Sequence, residues 1–462
     1  MKRALTILVL LATLVAIFAV PASARSQGRS YLIIAVGDQL PEGLAGEISA
    51  AGGTLVRTIP QIGLAVATFG SADDAQTAAD IPGIEAVVPN LKLQWVDPGH
   101  QVALEFGNPP SSGDDDFYFD LQYGHDAVDA PEAWEVGARG AGARVAVLDT
   151  GFDLDHVDLA PNINYGLSTS FVPGEGLEYA LDDPFSHGSH VAGTIAAADN
   201  GFGTIGVAPE AELMLVKVLG DEGSGEFDWV IAGIVYAADN DADVINMSLG
   251  AVLPKRGTCD ESGCADAIEV AQIRSALARA TNYAYNKGTT IIASAGNESI
   301  DFDEQSDLIH LPSMSPRVLS VSATTPIGWA IDPSTDLDVI TSYTNYGMGA
   351  VEFAAPGGDI LYPGSEICTV GPITHYCFVF DLVFSTGSNL DPMTATYYWG
   401  GGTSQAAPHV SGVAAIIIGE HGGSMHPWLV KRALRRSADD LGAPGKDPFY
   451  GYGRVNAYNA VD

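Results

Sequence analysis

Short apolar runs alternate with longer amphipathic stretches over most of the chain. From residue 123 onward the apolar runs fall at residues 143–148, 213–218, 243–247, 289–294, 318–323 and 351–354, and they predict strands. Between and after them, residues 191–198, 227–240, 265–286, 405–418 and 428–437 carry the periodicity of helices. Strands apolar at nearly every position need cover on both faces. The alternation therefore predicts an α/β domain, a parallel sheet with helices on both faces. In such sheets functional groups gather at the carboxyl ends of the strands. Residues 164–184, 252–266, 300–315, 326–341 and 363–398 follow neither period and read as long loops, the usual carriers of binding elements.

The first quarter of the chain has another rhythm. Residues 31–36, 63–69 and 84–89 read as strands and residues 44–51 and 72–81 as helices, a small α+β unit within residues 30–96. Residues 108–116, rich in Pro, Ser, Gly and Asp, read as an exposed linker. Lys2 and Arg3 precede an apolar run over residues 4–20, followed by Pro21 and Ala22-Ser23-Ala24. That is the pattern of a secretory signal peptide over residues 1–24, cleaved after small residues, and it predicts a secreted, extracellular protein. The competing reading is a membrane anchor, because the run approaches spanning length; Pro21 and the Ala-x-Ala step favour cleavage.

Formal net charge is −36: residues 1–24 carry +2, residues 25–116 carry −8 and residues 117–462 carry −30. So acidic a chain argues against nucleic acid or anionic membrane as partner and for a soluble surface.

Three segments carry chemistry. Val147-Leu148-Asp149-Thr150-Gly151 closes the first long strand. His187-Gly188-Ser189-His190-Val191-Ala192-Gly193 opens the next helix, and Gly402-Thr403-Ser404-Gln405-Ala406-Ala407-Pro408 opens a later one. A serine hydroxyl is a weak nucleophile until an imidazole takes its proton and a carboxylate holds that imidazole in the useful tautomer. Each segment supplies one such group. Ser404 at a helix start also has backbone N–H groups and a positive dipole end near a reacting carbonyl. Pro408 has no N–H to donate, which frees the Ser404 carbonyl. The pair His187 and His190 lacks the His-Glu-x-x-His pattern of zinc peptidases.

The order Asp149, His187, Ser404, with a fourth segment Ala293-Ser294-Ala295-Gly296-Asn297-Glu298, resembles the subtilase family of serine peptidases from about residue 123 to residue 461. The resemblance implies a subtilisin-like catalytic domain over residues 117–462. It likens residues 25–116 to a propeptide, an inhibitor-like ferredoxin module over 30–96 plus the linker, cut between residues 96 and 120 and acting as intramolecular inhibitor. It assigns Asp149, His187 and Ser404 as triad and Asn297 as the oxyanion-hole side chain, with His190 packed inside. Substrate would lie extended against Gly223, Ser224, Gly225 and against Ser248, Leu249, Gly250, with Phe227 rimming a distal pocket and Ala293, Ser294 and Gly296 lining the pocket before the cut. Glu222, Glu226 and Asp228 nearby read as solvated surface charge. The resemblance also implies a structural calcium ion held by Asp158, Asn200 and the carbonyls of Ala198, Phe202 and Thr204. Cys259 with Cys264 and Cys368 with Cys377 would close two insertions as disulfides, although sequence alone leaves the connectivity open. The expected protein is a monomeric, secreted endopeptidase acting on proteins or peptides. Two other readings are a sedolisin-like peptidase, which uses acidic residues where His187 stands, and an inactive peptide-binding relative, which the intact set of four groups disfavours.

Subtilases usually carry methionine directly after the nucleophile, where oxidation to the sulfoxide would crowd the oxyanion hole. Gln405 holds that position here. Activity is expected to survive peroxide far better in the natural chain than in Gln405→Met, measured as residual hydrolysis of a peptide anilide. Equal inactivation of the two would contradict this.

Overall fold

A computed structural model describes residues 28–97, 99–107, 116–260 and 263–461. The leader at residues 1–24 and nearly all of the linker at 108–116 lie outside the described residues. The six expected core strands form as Arg144–Asp149, Glu212–Lys217, Val244–Met247, Thr290–Ser294, Val318–Thr325 and Phe353–Pro356. They belong to one 8-stranded sheet, and all their mutual pairings are parallel. Side chains alternate between two cores because successive residues of a strand face opposite ways. Val145, Val147, Leu213 and Leu215 point toward the helices His187–Ala196 and Thr403–Glu420. Ala146, Leu148, Met214 and Val216 point toward Phe227–Asp239 and Ala267–Lys287. Both layers of the expected sandwich are present.

The small unit has one strand more than its sequence pattern suggests. Gly53–Ile59 joins Arg29–Ala35, Leu64–Phe69 and Ile84–Pro89 in a 4-stranded antiparallel sheet with helices Leu44–Ala50 and Ala72–Ala79, the ferredoxin-like βαββαβ order. The additional strand is only half-buried along its length, so its apolar signal is weak. One face of the sheet packs Ile33, Ala65 and Ala67 on the unit's own helices. The other puts Leu32, Ile34, Leu64 and Val66 into the core shared with Phe227–Asp239 and Ala267–Lys287. Arg57 pairs with Asp228 at 2.9 Å, and Asn90 donates to Asp228 at 2.8 Å and to Glu226 at 2.6 Å. Glu226 and Asp228 thus serve this contact rather than a solvated surface, while Glu222 is exposed.

Part of the region read as loop over 363–398 is also ordered as strands. Ile367–Val370 pairs with Ile373–Tyr376, and Val383–Thr386 pairs with Thr394–Gly401. Both expected disulfides are formed, Cys259 with Cys264 and Cys368 with Cys377. No helix among the described residues is long and apolar enough to cross a membrane.

Candidate active site

Asp149 ends its strand fully buried, and His187 begins a helix capped by Ser186, whose hydroxyl accepts the N–H of Ser189. The strand end and helix start are laced together. Ser186 donates to the Gly151 carbonyl at 2.9 Å, and the Gly188 N–H donates to Thr150 at 3.1 Å. A side chain at Gly188 would strike the Gly151 carbonyl and the Phe152 ring, so only glycine allows this approach. The result is a 2.7 Å contact between His187 Nδ1 and Asp149 Oδ1. A proton on Nδ1 donates to that carboxylate, leaving Nε2 free to accept; Nε2 is buried with no hydrogen-bond partner.

Ser404 enters from the opposite side, on the first turn of Thr403–Glu420. Pro408 lies inside that helix, as the spacing suggested, and the freed Ser404 carbonyl accepts the Ser248 hydroxyl at 2.7 Å. The exchange is reciprocal. Ser404 Oγ donates to the Ser248 carbonyl at 3.0 Å, so the hydroxyl is held by that carbonyl and not by His187. Such contacts commonly tighten only when substrate is bound. Asn297 follows the strand Thr290–Ser294. Its Oδ1 accepts the N–H of Thr403 at 2.9 Å and its hydroxyl at 2.8 Å. Thr403 thereby fixes the amide with its NH₂ free to donate, and sequence reasoning did not single it out. His190 is fully buried, with Nε2 3.2 Å from the carbonyls of Val383 and Tyr398, an interior role as expected.

The expected substrate edges are occupied by the chain itself. Lys92–Gln94 pairs antiparallel with Ser224–Glu226. The Gly250 N–H donates to the Trp95 carbonyl at 2.8 Å, and the N–H groups of Trp95 and Val96 both point at the Gly223 carbonyl. The Trp95 ring meets Phe227 edge to face at 4.6 Å and packs in the core with Leu249. Val96 and Gln101 share the walls of a cleft of about 210 Å³ with His187, Thr150 and Gly223. Ala293 and Ser294 are buried sheet residues, and Gly296 sits at φ +99° against Asn345 and His310. An isolated bulky aromatic after the third predicted strand is the signal by which Trp95 could have been found.

The five residues expected around calcium do come together. Asp158 Oδ2 accepts the Thr204 N–H at 2.9 Å and the Tyr397 hydroxyl at 3.0 Å, and the Asn200 side chain accepts the Phe202 N–H at 3.0 Å. The Ala198 N–H donates to the Asp158 carbonyl at 2.8 Å. A sixth residue joins them, Asp116, assigned from sequence to the linker. It accepts the Gly201 N–H at 2.6 Å, while its other oxygen is buried without a partner. Burial, and then the charge of Asp158, pushes its carboxyl up to about 7. An orphaned carboxylate oxygen near a second carboxylate suits a hard cation, although no group of three or more His, Cys, Asp or Glu side chains among the described residues forms a metal cluster.

The sequence matches the profile of the subtilase family over residues 140–453. The chain belongs to that family. The thermophilic serine proteinase of Bacillus sp. strain AK1 is 31% identical over 386 residues, 82% of this chain and 77% of its own. Thermitase of Thermoactinomyces vulgaris is 32% identical over 348 residues, 75% of this chain and 98% of its own. The solved structure of the epidermin leader peptide processing serine protease from Staphylococcus aureus covers 94% of this chain and 98% of its own with a TM-score of 0.72, a likeness of fold at 22% identity. As a subtilase the protein is a serine peptidase, a hydrolase acting on peptide bonds.

Five buried histidines of this subtilase outside the Asp149–His187 pair, His125, His156, His190, His310 and His409, are pulled down by burial and set an acid limit. Burial, and then the nearby His187, pulls His190 down to about 3, and burial alone pulls His310 down to about 4. His409 is likewise held at about 4, its burial opposed by the hydrogen bond its Nδ1 donates to the Gln405 carbonyl. Each is neutral when folded but charges near pH 6.5 when unfolded, so its contribution is present above that pH and is lost as pH falls toward 4. In a Ser404→Ala background, His310→Gln is expected to cut the loss of unfolding free energy between pH 7 and pH 5 by about 1 to 2 kcal/mol. Urea titrations at the two pH values check this; an unchanged difference would contradict it.

Proposed function

We propose that the protein is a secreted endopeptidase that cleaves peptide bonds through an acyl-enzyme on Ser404. His187 takes the hydroxyl proton at Nε2, Asp149 holds the imidazole and stabilises its charged form, and the tetrahedral oxygen meets Asn297 and the Ser404 N–H. The observation that carries this reading is the 2.7 Å Asp149–His187 contact, which leaves the buried Nε2 without a hydrogen-bond partner. Gly223, Ser224, Gly225 and Gly250 supply main-chain pairing, Phe227 and Leu249 a pocket for an apolar side chain, and Ala293, Ser294 and Gly296 the base of the pocket before the cut.

The same geometry supports a precursor whose first unit, residues 30–96, inhibits it. The tail at 92–96 lies in the cleft as substrate would, and the module behind it buries apolar surface on two helices of the catalytic unit. Maturation is then a self-cleavage just beyond Val96, where the chain passes His187. Ser404→Ala, expressed in a protease-free host, should keep residues 96 and 100 in one chain by mass, while the natural chain separates them. A Ser404→Ala chain cut there would sink the proposal.

A structural calcium ion fits Asp116, Asp158, Asn200 and the carbonyls of Ala198, Phe202 and Thr204. Its chemistry would be to neutralise two buried carboxylates and so tie the start of the catalytic unit to the loop after His187–Ala196. A ligand bound only by the folded chain stabilises it by about 2.7 kcal/mol at a hundredfold excess over Kd. Calcium should raise the melting temperature of the Ser404→Ala protein, and Asp158→Ala should abolish the rise. Equal calcium shifts in the two proteins would rule the site out.

A further inference from the structure

The strand His100–Gly107 pairs antiparallel with Thr394–Gly401 over eight positions, from His100 opposite Gly401 to Gly107 opposite Thr394. Gly401 stands three residues before Ser404. The polypeptide therefore runs in one direction through the site. Lys92–Gln94 is zipped to Ser224–Glu226 before the nucleophile, and His100–Gly107 is zipped to Thr394–Gly401 after it. The receiving strand is rigid. Its other edge pairs with Val383–Thr386, the Tyr397 hydroxyl donates to Asp158, and the Tyr398 hydroxyl donates to the Ser186 carbonyl at 3.2 Å, directly beside His187. Without residues 100–107 this strand would present an edge of unpaired N–H and C=O groups, ready to pair with any extended chain.

We propose that the outer edge of Thr394–Gly401 is a docking strand for the polypeptide on the carboxyl-terminal side of the cut, and that residues 100–107 occupy it in the uncut protein. This rests on the acyl-enzyme reading of the site. In self-cleavage the Ser404 oxygen takes the acyl carbon, and the amide nitrogen leaves with a proton delivered by His187. Water then releases the upstream piece as a carboxylate. The downstream piece gains a free amino group but stays covalently joined to the catalytic unit. It remains zipped at high effective concentration. Once residues 30–96 have left the cleft, that product can cut short substrates, whose leaving group needs no docking strand, but excludes long ones until the plug is displaced.

Two substrates separate the outcomes: a tetrapeptide p-nitroanilide, and an internally quenched peptide with eight residues after the same cut. Replacing Val102 and Ala103 together by proline removes at least one ladder N–H, because successive residues alternate in direction. The double variant should raise kcat/KM for the long peptide by about tenfold relative to the anilide; an unchanged ratio would overturn the proposal. The natural chain gives a second test that needs no variant. During its maturation, anilide activity should appear once the cut between residues 96 and 100 has released residues 30–96. Long-peptide activity should follow later, with loss of residues 100–107 by mass. Simultaneous appearance of both activities would overturn it, and absence of both would refute the peptidase reading along with it.

Discussion

Parallel pairing of Arg144–Asp149, Val244–Met247 and Thr290–Ser294 is the constraint on which the site depends. It sets three carboxyl ends side by side, so that Asp149, Ser248 and Asn297 emerge at one rim from neighbouring strands. No loop has to bring them together. The helices add the remaining groups from the same rim, His187 from one first turn and Ser404 from another. Because both helices pack their apolar faces on one core, their starts cannot drift apart without opening that core.

A second dependence runs through backbone groups left unpaired on purpose. Pro408 deprives the Ser404 carbonyl of its helical partner, and Ser248 takes it up. Asn246 donates to Ser248 at 3.0 Å and accepts from Ser411 at 2.8 Å, so the strand end is tied to the Ser404 helix at two levels. Thr403 turns the Asn297 amide outward in the same way. The polar atoms that aim the chemistry are each held by a neighbour that takes no part in it, which is how a site stays preorganised.

Much of this was legible in the sequence, for identifiable reasons. Core strands such as Arg144–Asp149 are apolar on both faces, and a doubly covered sheet leaves no other reading. Asp149, His187 and Ser404 sit at element ends marked by glycines and a proline, where local chemistry speaks loudly. What stayed hidden depends on partners far away in the chain. Gly53–Ile59 alternates weakly as an outer strand, and Thr394–Gly401 reads as loop until its pairing with residues 100–107 is seen. Asp116 sits in a stretch of turn formers, and only its position beside Asp158 distinguishes it from them. Glu226 and Asp228 look like surface charge until Arg57 and Asn90 arrive from the first unit.

The central claim is that Asp149, His187 and Ser404 act as one unit. A fluorophosphonate probe tests it most directly, because it reacts with a serine only when that serine is activated as a nucleophile. Mass spectrometry of the matured protein should find the adduct on the peptide carrying Ser404 alone, and His187→Ala should abolish it. Labelling that persists without His187, or that falls on another serine, would contradict the account.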